Sequence, residues 1–116
     1  MELLNSGNLN TIIGTSGIIA LSSTTAKNFV NDFSDFGITL TQVRAADFII
    51  IQVLSSAINY TNGIIPVTSS IGIGIGLNEF YLIKGRTNIE NFEMISQSGT
   101  ANVQFTLMTY GIPVVA

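Results

Sequence analysis

Short apolar runs, broken by glycine and small polar residues, set the pattern of this chain. Through residues 1–24, the pairs Leu3-Leu4, Ile12-Ile13 and Ile18-Ile19 alternate with Ser6-Gly7, Gly14 and Ser16-Gly17, which reads as short strands joined by tight turns. Residues 25–36 have a different period. Phe29, Phe33 and Phe36 fall at i, i+4 and i+7 and Gly37 stands ready to end the run, so one short helix is expected there. The rival is a pair of short strands broken at Asn31-Asp32.

From residue 38 the pattern turns to strands. Ile38 to Val43 alternates with period two and is rich in β-branched types. Phe48 to Leu54 is a near-continuous apolar run, as expected of a central strand covered on both faces. A helix over residues 42–58 is the weaker alternative, because Ile and Val crowd a helical turn. Asn62-Gly63 marks a turn, and further strands are expected at Ile64–Val67, Ile71–Leu77, Glu79–Ile83, Phe92–Ile95 and Val103–Tyr110. Separators recurring about every 8–12 residues point to a mainly β chain, an antiparallel β-sandwich of jelly-roll type. In the last strand Val103, Phe105, Leu107 and Thr109 share one face, and Asn102, Gln104, Thr106, Met108 and Tyr110 share the other.

Composition adds constraints. The 116 residues make one domain, 1–116, within which residues 1–24 either close the sandwich or act as an assembly arm reaching into a partner's sheet. Charged residues are only 9% of the chain, with net charge −3, and there is no Cys, His or Trp. Zinc, haem and iron–sulfur sites, thiol nucleophiles and a Ser–His triad are therefore excluded, and so are disulfides. Four basic residues cannot make a phosphate-neutralising patch, so nucleic acid is not an expected partner. The densest apolar stretch, Phe48 to Ile58, is about half a membrane span, and the first residues lack the basic and apolar regions of a signal peptide. The expectation is synthesis in a cytoplasm, with no membrane partner. The sequon Asn59-Tyr60-Thr61 then reads as accidental.

Candidate chemistry is sparse. Ile71-Gly72-Ile73-Gly74-Ile75-Gly76 matches neither nucleotide-binding pattern; as a strand it would put three Ile on one side and leave the other bare, for a sheet, ring or neighbouring subunit to approach. Asp32/Asp35 and Glu90/Glu93 are paired carboxylates without a substrate groove, and Asn31 with Asp32/Asp35 lacks the spacing of a calcium loop. No catalytic residue, metal ligand or cofactor is assigned, and the chain is read as a non-enzyme. Arg44 or Arg86 could pair with Asp47 or Glu90 at a contact between strands or subunits; the alternative is a charged, solvated edge. Tyr60, Tyr81 and Tyr110 could stack sugars if folding brought them together. The interface candidates are thus Ile71 to Gly76 with Arg44, Asp47 and Arg86.

Charge is missing from whole segments, from Phe48 through Asn78 and from Met94 onward. Strands without charge are strands that pack against something, and obligate interfaces exclude charge at their centres. The segments Arg44–Gln52, Asn62–Val67, Asn78–Gly85 and Ser98–Tyr110, the last opening on Ser-Gly-Thr-Ala, resemble the small β-sandwich virion proteins of tailed bacteriophages over roughly residues 38–111. That resemblance implies capsid decoration or the base of a head or tail fibre. It also implies a homo-oligomer, often a trimer, docked on virion proteins such as the major capsid protein. A receptor- or glycan-binding module of a fibre is the alternative. Docking surfaces vary in such proteins, so the resemblance assigns no residue a role.

Overall fold

The computed structural model describes residues 12–63 and 65–110. Among them are eight strands: β1 (Ile12–Leu21), β2 (Lys27–Asn28), β3 (Phe48–Ser55), β4 (Ile58–Thr61), β5 (Ile73–Ile75), β6 (Phe80–Lys84), β7 (Glu93–Ser96) and β8 (Ala101–Tyr110). They form two antiparallel sheets, ordered β1-β8-β3-β6 and β2-β7-β4-β5. Strand 1 pairs with 8, 2 with 7, 3 with 6 and 4 with 5. The chain is thus one long hairpin with its tip between β4 and β5, rolled so that successive strand pairs fall in opposite sheets. That order is a jelly roll.

The inner faces follow the period-two pattern. In β8, Val103, Phe105 and Leu107 are buried while Asn102 and Gln104 are exposed. Ile49, Ile51 and Val53 of β3 oppose Leu107, Phe105 and Val103 in register. An aromatic spine runs through the core: Phe105 meets Phe36 and Phe29 edge-on at 5.3 and 5.9 Å, and Phe29 leads to Phe92, which stacks on Tyr60 at 5.1 Å.

Several elements differ from the sequence expectations. Gly14 and Gly17 do not break the first segment, which is one ten-residue strand. Gly17 is needed there because a Cβ would stand 2.7 Å from the Phe105 ring. This strand pairs with β8 of its own chain and adds Ile19 and Leu21 to the core, so residues 12–21 close the sandwich; residues 1–11 lie outside the described ones. The strand expected at Ile38–Val43 is instead the helix α1 (Leu40–Ala45). Thr39 and Gln42 form a reciprocal capping box, and this satisfies the first turn well enough to override β-branched propensity.

The expected helix over 25–36 shrinks to a single 3-10 turn, Phe33–Phe36, closed by Gly37 at φ 72°. Upstream, the Asn28 side chain takes the N–H groups of Val30 and Asn31, and Asp32 takes that of Asn28, a local network that competes with helix. A second helix, α2 (Arg86–Asn91), lies where the sequence pattern signals no element. The described part of Ile64–Val67 is loop, and only Ile73–Ile75 of the Gly-Ile repeat is strand.

Candidate interaction surface

The register of the first sheet places its outward residues in rows. Gly14, Met108, Phe48 and Lys84 form one row; Ser16, Thr106, Ile50 and Leu82 the next; Ile18, Gln104, Gln52 and Phe80 a third. In these three rows the only charge is Lys84, at a corner. Phe80 is 67% exposed, Ile18 63%, Leu82 51% and Tyr110 49%, with the Phe48 and Tyr110 rings 5.6 Å apart. An antiparallel sheet with one face in water normally turns polar side chains outward. Four strands about 4.8 Å apart and six residues at about 3.4 Å give this face roughly 400 Å². Met108, Phe48, Ile50, Leu82, Ile18 and Phe80 share it with Ser16, Thr106, Gln104 and Gln52, a mixture of apolar and uncharged polar side chains of the kind that contact surfaces carry. No described residue covers it.

The second sheet is treated differently. Asn59, on the outer side of β4, is buried and donates to the carbonyls of Thr68 and Ser69, while its own Oδ1 accepts from Gln97 at 2.8 Å. The loop after β4 is thereby tied down over that strand. The sequon asparagine is a structural hydrogen-bonding group.

No protein-family model, curated protein or solved structure matches this chain.

The sequence candidates are dispersed. In the Gly-Ile repeat, Ile75 is buried opposite Ile58, while Ile71 and Ile73 are half-exposed. Ile73 borders an open cavity of about 240 Å³ with Tyr60, Thr61, Asn62 and Ile65. The space left by the glycines is filled by the chain itself: a Cβ on Gly72 would meet the Tyr60 carbonyl at 2.8 Å, and one on Gly74 the Gln97 amide at 3.1 Å. Among the described residues, no ion pair joins Arg44 or Arg86 to Asp47 or Glu90. Arg86 donates to the Arg44 carbonyl at the end of α1, and Asp47 accepts the Tyr110 N–H at 2.7 Å. The described ion pair is Lys27–Asp35, at 2.8 Å, and it holds the Lys27 ammonium above its usual range.

The carboxylates expected as possible pairs have local tasks. Asp32 accepts from the Asn28 N–H and Asp35 binds Lys27; outside the pairs, Glu79 accepts the Gly76 N–H at the turn into β6. The tyrosines divide between two places. The Tyr60 and Tyr81 rings lie 4.5 Å apart between the two sheets, with Tyr60 buried against Phe92, whereas Tyr110 sits on the outer face of the first sheet.

Burial, and then Tyr81, push the Tyr60 phenol up to about 12 from 10.0. The folded state keeps this proton after the unfolded chain has lost it, so stability is full below pH 10 and falls as pH climbs from 10 through 12. About 3 kcal/mol is at stake. Thermal unfolding followed by circular dichroism should show Tm dropping over this window. Tyr60→Phe should remove that part of the drop; an unchanged drop would place its origin elsewhere.

Sequence reasoning missed the outer face as a site. Its signal was present in Phe48–Leu54, which is apolar at both parities and so belongs to a strand covered on two sides.

Proposed function

We propose that this chain is a non-enzymatic structural component of a virion, a capsid-decorating or fibre- or head-attachment protein that works by docking through its sheet faces. The supporting observation is the mismatch at β3. Its sequence is written for burial on both faces, and its own fold covers one. A partner surface completes the burial. Jelly-roll strand order agrees with that reading, since viral capsid domains use it, although lectins share the architecture and fold alone does not assign function. The glycan-binding alternative has less support, because Tyr60 is buried and Tyr110 stands apart from it.

The test is incorporation. Peptides of this chain should appear by mass spectrometry in particles purified on a density gradient from the producing cells. A variant carrying Phe80→Lys and Leu82→Lys should keep a Tm within a few degrees of wild type, since both side chains are exposed, yet drop out of the particle band at least tenfold. A wild-type chain absent from particles, or a double variant incorporated as well as wild type, overturns the reading.

A further inference from the structure

The first sheet ends, on one side, in β1, and we infer that this edge pairs with β1 of a second copy, antiparallel across a two-fold axis. Ten consecutive residues pair with β8 without a register shift, and no described strand lies on the other side of β1. Proteins normally protect such an edge with a charge, a proline, a bulge or shortness. β1 has none of these: its sequence, IIGTSGIIAL, carries no charge and no proline. The other sheet edges are protected. β6 is five residues ending in Lys84, β5 is three residues long, and β2 is two residues beginning with Lys27.

Self-pairing suits this strand for two reasons. A two-fold axis brings a strand antiparallel to itself, so each copy offers the same unpaired N–H and C=O groups to the other, and the contact closes as a dimer. No charge then faces its own like across the axis. Centring the axis on Ser16 sets Ser16 against Ser16 and puts the protruding Ile18 opposite Gly14 of the second copy, a residue with no side chain to collide with it. The two sheets merge into one of eight strands, and their outer faces become continuous. This inference goes beyond the docking face, which could bind any virion protein. It specifies the partner of the edge as another copy of this chain.

The chain has no cysteine, which makes a crosslinking test clean. Opposed residues of antiparallel strands lie about 4.5–5.5 Å apart between Cα atoms, within disulfide range. Purified protein carrying Ser16→Cys should oxidise to a covalent dimer, at least tenfold faster than protein carrying Ser70→Cys in the exposed turn near β5. Light scattering should give wild type twice the chain mass, and Ile18→Lys should return it to the single-chain mass with Tm nearly unchanged. A wild-type monomer or trimer overturns the inference, and so does crosslinking at equal rates from both positions. Those results leave the particle experiment untouched, so a failed edge and a failed docking face are separable.

Discussion

Replacing Phe105 by alanine should remove about 3–5 kcal/mol of folding stability, the range for emptying a buried aromatic site. The ring is fully buried in the middle of β8, edge-on to both Phe29 and Phe36. It also reaches under β1, where Gly17 leaves it room. Three elements therefore rest on one side chain: β1, β8 and the segment that carries the 3-10 turn. None of these neighbours can collapse into the gap without disturbing a strand pairing, so the cost belongs at the upper end of that range. Against a total of about 5–15 kcal/mol, it is a large fraction of what holds the domain together. At about 4 °C per kcal/mol for a domain of this size, Tm should fall by about 12–20 °C. Phe80→Ala is the internal comparison, because the same residue type on the outer face should change stability by no more than about 0.5 kcal/mol. A loss below about 1 kcal/mol at Phe105 would mean the ring is not where the fold places it.

Much of the architecture was legible in the sequence because strands announce themselves by alternation. β8 could be split correctly into its two faces by residue parity, and β3 was recognisable as a central strand. What failed was local chemistry read as global pattern. Gly14 and Gly17 look like turn residues, yet here they sit within a strand, one of them because a phenylalanine needs the space. Thr39-Leu-Thr-Gln42 alternates like a strand but is also a capping box, and the box prevails because it satisfies donors that a six-residue helix cannot satisfy internally. Phe29, Phe33 and Phe36 have helical spacing, and Phe29 and Phe36 do reach the core together, stacked at 4.4 Å, but through a turn and a 3-10 segment.

The candidate site was less legible, for a related reason. The Gly-Ile repeat stands out in sequence because of its composition, and its glycines prove to serve close packing within the chain. The outer face of the first sheet draws its residues from β1, β3, β6 and β8, far apart in sequence and individually ordinary. Only strand register brings Ile18, Ile50, Leu82 and Phe80 onto neighbouring rows. A gap in charge along the sequence said that something is covered; it could not say which face.

Asn28→Ala should cost about 3 kcal/mol, a large effect for a polar residue that sequence reading passed over. Asn28 is 5% exposed and its side chain makes four hydrogen bonds. Its amide nitrogen donates to the carbonyls of Glu90 and Phe92, at 2.9 and 3.0 Å, and its oxygen accepts the N–H groups of Val30 and Asn31. One side chain thus joins the turn after β2 to the junction between α2 and β7. Each bond contributes about 1 kcal/mol net, and buried partners left unsatisfied add about 1–3 kcal/mol. Water reaching the more exposed groups offsets part of that sum. Asn28→Asp separates the two halves of the network, since a carboxylate still accepts from Val30 and Asn31 but repels the two carbonyls. At neutral pH it should be at least as damaging as alanine. Because the carboxylate is the disfavoured form in the folded state, its pKa is raised there, and the variant should regain stability as pH falls and the group takes up a proton to donate. Chemical denaturation of both variants at neutral and mildly acidic pH reads this directly. A loss under about 1 kcal/mol for alanine, or an aspartate variant indifferent to pH, would show that Asn28 does not bridge the turn and the α2–β7 junction.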